Sequence, residues 1–226
     1  MKKLLALGIF VSVMFLTSMV GADTVVQLTE NGVSPNAIVT GTFPVIGTAT
    51  VYAGYYVISI NDPNNVFSGT YNSFCVDPAY APTGPTSYSI TPVTSLNSSN
   101  PTTLQYEQAA WLLSQSTSAN AVASQIAAWD MVFYNGQSLT SPTGFNLASS
   151  ALEAQAQALV TLVMNTRNLG NLDNYYLAAN PTTGQSYEEG TQDYLFYKCP
   201  EPATLLLLGF GLVGLAARRA RRRVEN

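Results

Sequence analysis

The sequence predicts an α+β fold, a β-sandwich or barrel with a helical insertion, followed by a short C-terminal transmembrane helix. Three observations support this prediction. From Thr24 to about Thr91 the chain is rich in Val, Ile, Thr and Tyr and is broken by turn residues. Ala-, Gln-, Leu- and Trp-rich segments with helical spacing follow, and strand-like segments then return before the apolar tail. This order of strands, helices and strands is typical of an α+β domain.

The chain begins with a pattern typical of a secretory signal peptide. Two lysines precede the apolar run Leu4–Phe15, and the small residues Val20–Ala22 resemble a cleavage site. We expect residues 1–22 to be removed on export, so that the mature chain begins at Asp23. A membrane helix retained at this end is the alternative, although its apolar core is short for a span.

The first predicted strands surround a clear turn. Residues of high β-propensity occupy Thr48–Ile60 and Val66–Val76, and Asn61–Asn65 carries the Asn, Asp and Pro that favour a turn between them. The segment from Pro78 to Thr103 is rich in Pro, Thr, Ser and Asn, and we predict a loop there.

Three helices are predicted after this loop. Apolar residues at helical spacing indicate helices from about Thr103 to Gln115 and from Asn120 to Tyr134. A third helix is predicted from Ser150, where Glu153 completes a Ser-x-x-Glu capping box, to Gly170 as its stop.

Two more strands are predicted at Tyr175–Ala178 and Asp193–Tyr197. With the signal peptide and the tail set aside, residues 23–198 have the size of one exported domain.

Charge and composition exclude several functions for this domain. Between Asp23 and Cys199 two cationic residues stand against eleven acids, a net charge of −9, and the whole chain has no histidine. Such an acidic domain cannot neutralise phosphates, so we expect no binding to nucleic acid. The lack of histidine excludes Ser-His-Asp and Cys-His catalysis and His-ligated zinc. We expect no metal, no cofactor and no enzymatic activity.

Residues 199–226 form a tail with three parts. A Pro-Glu-Pro motif precedes the 15 uncharged residues Ala203–Ala217, and arginines follow, which would hold that end in the cytoplasm. The apolar run is shorter than the roughly 20 residues that span a bilayer unaided. The motif residues are Pro200, Glu201 and Pro202, and the arginines are Arg218, Arg219, Arg221, Arg222 and Arg223.

This tail resembles the PEP-CTERM sorting signal of Gram-negative bacteria. The resemblance implies that exosortase, a membrane-embedded cysteine protease, cuts near the motif. The protein would be anchored transiently in the inner membrane and then reach the cell surface or the extracellular matrix, often with exopolysaccharide. A permanent C-terminal anchor is the alternative, weakened by the marginal length of the apolar run.

Cys75 and Cys199 allow two simple interpretations. An exported protein with two cysteines can form a disulfide between them. Alternatively, Cys75 is a buried thiol that packs as a small hydrophobe.

Gln125 is a polar residue on an apolar helical stripe. It lies among Val122, Ile126 and Trp129, so its carboxamide is expected to face the core. A buried amide without partners costs about 1–3 kcal/mol. Gln125 is therefore either hydrogen-bonded as a structural residue or chemically altered.

The segments Ser73–Asp77, Tyr106–Leu113 and Ala123–Trp129 together resemble the thioester domain of Gram-positive surface adhesins. That family carries an aromatic-Cys-aliphatic strand and a Gln-x-Ala-aliphatic-Trp helix. The resemblance implies that Cys75 supplies a thiol and Gln125 an acyl group, which condense with loss of ammonia into an internal thioester. By the same resemblance, Trp111 and Trp129 would shield this bond from water.

Three functional classes follow from these patterns. The first is an adhesin-like module that binds covalently through the thioester, with an amine-bearing surface as its target because no histidine can relay the acyl group. The second is a non-covalent structural protein of the exopolysaccharide layer. The third is a hydrolase using Asp77, Glu107 or Asp130, but their spacing singles out no carboxylate pair.

Overall fold

A computed structural model of the chain describes residues 24–43, 47–77, 85–98, 101–137, 139, 147, 149–179 and 192–199. The strands are β1 (Thr24–Phe43), β2 (Gly47–Asn61), β3 (Gly69–Cys75), β4 (Thr86–Pro92), β5 (Tyr175–Ala179) and β6 (Tyr194–Tyr197). The helices are α1 (Thr103–Gln115), α2 (Ala121–Tyr134) and α3 (Ser150–Asn165), and a short 3-10 turn covers Val93–Ser95.

The six strands close into an antiparallel barrel in the order β1-β2-β3-β6-β5-β4. Of the two architectures predicted, the structure therefore has the barrel. The three helices lie between β4 and β5 in the chain, which confirms the predicted helical insertion. β1 joins both ends of the order because its first residues pair with β4, from Thr24↔Ile90 to Leu28↔Thr86, and most of its length pairs with β2.

The predicted loop from Pro78 to Thr103 was wrong for residues 86–92, which form β4. Tyr88 and Ile90 are fully buried in this strand, and the residues between and beside them are only partly buried. Alternating burial is the mark of a strand with one face in the core. The other five residues of β4 are Ser, Thr and Pro, which gave the segment the composition of a loop.

The predicted turn before β3 is present, but β3 begins at Gly69 and not at Val66. The cause is Asp62, whose Oδ2 accepts hydrogen bonds from the main-chain N–H groups of Val66 and Phe67 at 2.8 and 2.9 Å. These donors are therefore used within the turn instead of the sheet ladder.

Two of the three helices have the predicted bounds to within one residue. α1 begins with a capping box, in which Thr102 and Gln105 satisfy each other's main-chain donors. α2 follows Asn120 and ends at Tyr134, and its C-cap Asn135 adopts the left-handed conformation with φ 52°.

The third helix begins at Ser150, as predicted, but its predicted cap and its predicted C-terminal end were wrong. Its N-cap is Ser149, whose hydroxyl accepts from the N–H of Leu152 at 3.3 Å, so the capping box proposed for Ser150 and Glu153 does not start this helix. The helix ends at Asn165, because the extended backbone of Thr166 (φ −82°, ψ 107°) interrupts it before Gly170.

Aromatic side chains fill much of the barrel. The rings of Phe67 and Tyr176 lie 4.9 Å apart, and Phe196 contacts Tyr71 at the same centroid distance. Aromatic pairs at such distances contribute beyond the area that they bury. The helical layer packs against the outside of this barrel through α2, which contacts β1, β2 and β3.

Across the ranges that the structure describes, no helix combines the length and the apolar character needed to cross a bilayer. The predicted signal peptide (residues 1–22), the Pro-Glu-Pro motif, the C-terminal membrane helix and the arginine cluster all lie outside the described residues.

Candidate functional site

Cys75 stands where β3 has a neighbour on one side only. On the β6 side Cys75 pairs with Tyr194. On the other side the ladder with β2 ends two residues earlier, at Tyr56↔Ser73. The main-chain N–H and C=O of Cys75 that face this side need other partners, because unpaired buried peptide groups are costly.

The side chain of Gln125 supplies both partners. The N–H of Cys75 donates to Gln125 Oε1 at 3.0 Å, and Gln125 Nε2 donates to the Cys75 carbonyl oxygen at 2.7 Å. A donor and an acceptor face an acceptor and a donor, so only one orientation of the amide fits. The carboxamide of a residue 50 positions away thus replaces a β-strand beside Cys75.

Helix α2 brings Gln125 to the barrel because small residues surround it. Ala121, Ala127 and Ala128 are completely buried, and such side chains let the helix backbone approach the sheet closely. Gln125 itself has 0% exposure, as does Cys75. The structure therefore brings the two residues singled out from the sequence into one contact that is not accessible to solvent.

The thiol of Cys75 lies in an environment that disfavours its ionised form. Burial is the main cause that raises its pKa well above the usual value, and the negative charges of Asp77, Glu30 and Asp193 raise the pKa further. A hydrogen bond from the Asp77 main chain acts in the opposite direction. The sulfur is therefore a protonated thiol at neutral pH and not an exposed thiolate.

The two tryptophans differ in their surroundings. Trp129, one turn after Gln125, has 0% exposure, and its ring meets Phe43 edge-on with centroids 5.5 Å apart. Trp111 on α1 is only partly buried against the core. Trp129 thus packs in the helix–barrel interface one turn from Gln125, whereas Trp111 is a partly buried residue of the neighbouring helix.

The two cysteines, which both fall within the described residues, are not joined by a disulfide. Cys75 is buried and Cys199 is exposed just after β6. The disulfide considered from the sequence is therefore absent from this structure, and the interpretation of Cys75 as a buried thiol agrees with its position.

The three acids considered for a hydrolase lie on different elements. Asp77 follows β3, Glu107 lies on α1 beside a groove that also contains Arg167, and Asp130 lies within α2. In the part of the chain that the structure describes, no group of three or more Cys, Asp or Glu side chains is arranged to hold a metal ion.

Glu30 and Tyr194, which no motif in the sequence marks, lie at the same end of the barrel as Cys75. Tyr194 is the cross-strand neighbour of Cys75, and its hydroxyl donates to Glu30 Oε2 at 2.6 Å. The two residues are 164 positions apart, so no local pattern could have indicated their contact.

Comparison with known proteins bears on the tail. Residues 198–223 match the family model for the PEP-CTERM protein-sorting motif. The chain thus carries a sorting signal of this class, as predicted from residues 199–226. The motif implies an exported protein that is anchored transiently in the membrane and processed by exosortase, a membrane protein.

No curated protein and no solved structure was found to match the chain. The likeness of the mature domain to thioester domains consequently has no support from comparison.

Proposed function

We propose that residues 23–198 form an adhesin-like module, displayed at the cell surface or in the extracellular matrix, that attaches covalently to an amine on its target. The observation that carries this proposal is the contact of the Gln125 amide with the Cys75 main chain, through hydrogen bonds of 3.0 and 2.7 Å at zero exposure. The sorting motif supports the location.

The proposed reaction joins the two side chains. The Cys75 sulfur attacks Cδ of Gln125, the Cδ–Nε2 bond breaks, and the thiol proton leaves with the nitrogen as ammonia. The product is a thioester between Cys75 Sγ and Gln125 Cδ. The hydrogen bond from Nε2 to the Cys75 carbonyl is lost in this step, while the bond from the Cys75 N–H to Oε1 is retained.

The retained hydrogen bond has a chemical consequence. The Cys75 N–H points at the oxygen on which negative charge develops when a nucleophile attacks Cδ. A fixed donor at this position in a water-free site stabilises that charge and thus promotes both formation and opening of the thioester. Burial, completed on one side by Trp129, keeps water away from the stored bond.

Intact-mass spectrometry of the exported protein tests the proposal. A thioester lowers the mass by one ammonia molecule, and treatment with methylamine then adds one methylamine to Gln125. Cys75→Ala and Gln125→Ala are expected to abolish both mass changes, whereas Cys199→Ala, the matched cysteine control, leaves them intact. An unmodified mass of the wild-type protein overturns the covalent function.

A non-covalent structural protein of the exopolysaccharide layer is the second candidate, and the outer face of the β1–β2 ribbon favours it. Threonines pair across the strands at Thr40↔Thr50 and Thr42↔Thr48, with hydroxyl oxygens 3.1 and 3.2 Å apart. The exposed ring of Tyr52 lies on the same ribbon, opposite Ile38. An uncharged face of hydroxyls beside an aromatic ring suits contact with sugar rings.

Retention on cells after a denaturing wash separates the two candidates. Covalent attachment predicts that the wild type stays bound and that Cys75→Ala is washed away. The structural candidate predicts that both proteins are removed equally, and that Tyr52→Ala weakens binding to purified exopolysaccharide before the wash. Glu201→Ala tests the sorting step, since it is expected to leave the protein in the inner membrane fraction.

A further inference from the structure

The end of the barrel that holds Cys75 also holds a polar cluster formed by Glu30, Tyr56, Tyr88, Gln192 and Tyr194. The barrel register explains why they meet. β1 and β3 run towards this end, β4 and β6 start from it, and Tyr194 of β6 pairs directly with Cys75. Cross-strand neighbours of this kind have Cβ atoms about 4.5–5.5 Å apart on the same face of the sheet.

Tyr194 is the centre of this cluster. Its hydroxyl donates to Glu30 Oε2 at 2.6 Å and lies 3.0 Å from the side-chain amide of Gln192. The ring contacts those of Tyr56 and Tyr88, each with a centroid distance of 6.0 Å. Tyr194 is fully buried, but Glu30 is only partly buried, so the cluster leads from solvent to the cross-strand neighbour of Cys75.

The charge around this path is negative. Glu30, Asp77 and Asp193 each act electrostatically on the Cys75 thiol. Glu30 lies in β1, Asp77 follows β3 and Asp193 precedes β6, so all three are at the same end of the barrel. Low-dielectric walls lined by one sign of charge concentrate ions of the opposite sign. These charges therefore favour binding of a cation. The proposed thioester itself is neutral and does not account for them.

We propose that the Glu30–Tyr194 pair binds the group that opens the thioester, that this group is a primary alkylammonium such as a lysine side chain, and that Glu30 accepts its proton. This inference rests on the proposed function and names its substrate class and a further residue of its mechanism. The Tyr194 hydroxyl holds the Glu30 carboxylate through its 2.6 Å hydrogen bond, and Tyr194 itself is the cross-strand neighbour of Cys75.

Opening of the thioester by the bound amine moves two protons, one to Glu30 and one to the Cys75 sulfur. The ammonium gives one proton to the Glu30 carboxylate, and the free amine nitrogen attacks Cδ of Gln125. The Cδ–Sγ bond breaks, a second nitrogen proton passes to the Cys75 sulfur, and Glu30 later releases its proton to water. An amide links Gln125 to the target, and Cys75 returns to a protonated thiol, the form that its buried and acidic surroundings favour.

The decisive experiment compares a charged with an uncharged nucleophile on the mature exported protein. Nα-acetyl-lysine amide is cationic near neutral pH and hydroxylamine is not, and intact mass follows the consumption of the thioester by each. Glu30→Gln is expected to slow acetyl-lysine amide by roughly tenfold or more while changing the hydroxylamine rate by less than about twofold. Glu153→Gln, which removes an exposed acid on α3, is the matched control and changes neither rate.

Each outcome is decisive. Equal slowing of both nucleophiles by Glu30→Gln, or slowing of neither, overturns the inference while the proposed function stands. A wild-type protein that has not lost ammonia overturns the proposed function and the inference with it. Salt provides a second measurement that needs no variant: it should slow acetyl-lysine amide and leave hydroxylamine unchanged, and equal salt effects would also overturn the inference.

Discussion

Gly54 lies against the carbonyl oxygen of Pro35 so closely that a Cβ on Gly54 would stand 1.8 Å from that oxygen. The contact occurs where β1 is irregular, between the pairs Val33↔Tyr56 and Asn36↔Gly54. Gly54 also has φ +150°, a conformation that other residues rarely adopt. β2 leaves β3 near this position, and Gln125 takes its place beside Cys75.

Gly54→Ala is therefore expected to destabilise the domain strongly. The steric clash involves main-chain atoms that cannot rotate away, and the unfavourable φ adds to it, so we expect a loss of at least about 3 kcal/mol in the free energy of unfolding. Urea unfolding followed by tryptophan fluorescence measures it. Gly47→Ala is the control, since φ is +69° but no atom lies within 4 Å of its Cβ position. Equal losses in both variants would show that the Pro35 contact is unimportant.

The hydrogen bonds of Gln125 can be measured without the thioester. In a Cys75→Ala background no thioester can form, yet the main chain at position 75 still needs its partners. Adding Gln125→Ala to this background leaves a buried N–H and a buried C=O unpaired, each worth about 1–3 kcal/mol.

The measurement is the difference in unfolding free energy between the single and the double variant. Gln115→Ala, which truncates an exposed glutamine at the end of α1, is expected to change stability by less than about 0.5 kcal/mol. A loss at Gln125 as small as that at Gln115 would contradict the pairing with Cys75.

Trp129 and Trp111 should differ in both stability and protection of the thioester. Trp129→Ala empties a fully buried site against Phe43 and is expected to cost about 3–5 kcal/mol. Trp111→Ala, at a partly buried position, is expected to cost less. Thioester hydrolysis, followed by intact mass in buffer without amines, should speed up more in the Trp129 variant. A reversed order would assign the shielding role to Trp111.

Alkaline pH should destabilise the domain through its buried tyrosines. Burial is the main cause that raises the pKa of Tyr194 and of Tyr56 above 10.0, the value for an unperturbed tyrosine. Below pH 10 both the folded and the unfolded state keep these protons, so ionisation of the two tyrosines does not lower the unfolding free energy. As pH rises further the unfolded state alone releases them, and each group then lowers the unfolding free energy by up to about 1.4 kcal/mol per pH unit.

The slope of stability against pH between 10 and 11 checks this expectation. Tyr194→Phe is expected to be less stable at pH 8, because the hydrogen bond to Glu30 is lost, but to show a shallower decline above pH 10. Tyr52→Phe removes an exposed tyrosine and should keep the original slope. An unchanged slope in Tyr194→Phe would contradict the assignment.

Local patterns in the sequence were sufficient for α1 and α2 and for some of the strands. The spacing of apolar residues placed α1 and α2, and runs of β-branched and aromatic residues placed β2, β5 and β6. β4 was missed because only two large side chains, Tyr88 and Ile90, mark its buried face. The choice between sandwich and barrel depended on the closing pairs of β4 with β1 and β5, and pairing between distant strands is not encoded by any local period.

The candidate site was likewise predictable only in part from local sequence patterns. The position of Gln125 on an apolar stripe indicated a buried amide, and the structure adds its partner, the Cys75 main chain. The need for that partner arises from the point at which β2 leaves β3, which is a tertiary property. Glu30 and Tyr194 were not singled out because each resembles an ordinary residue of an amphipathic strand until the barrel closes.

The position of β6 has a mechanical consequence. β6 lies between β3 and β5, and its last residue, Tyr197, is two positions before Cys199 and the start of the tail. Because β3 and β6 are antiparallel, Tyr197 lies towards the start of β3, whereas Gln125 is held beside Cys75 at the end of β3. A pull between a target on Gln125 and a tail still held in the membrane would run along these strands. Their hydrogen bonds would share the load in shear instead of opening one by one, a geometry suited to an attachment that must withstand force.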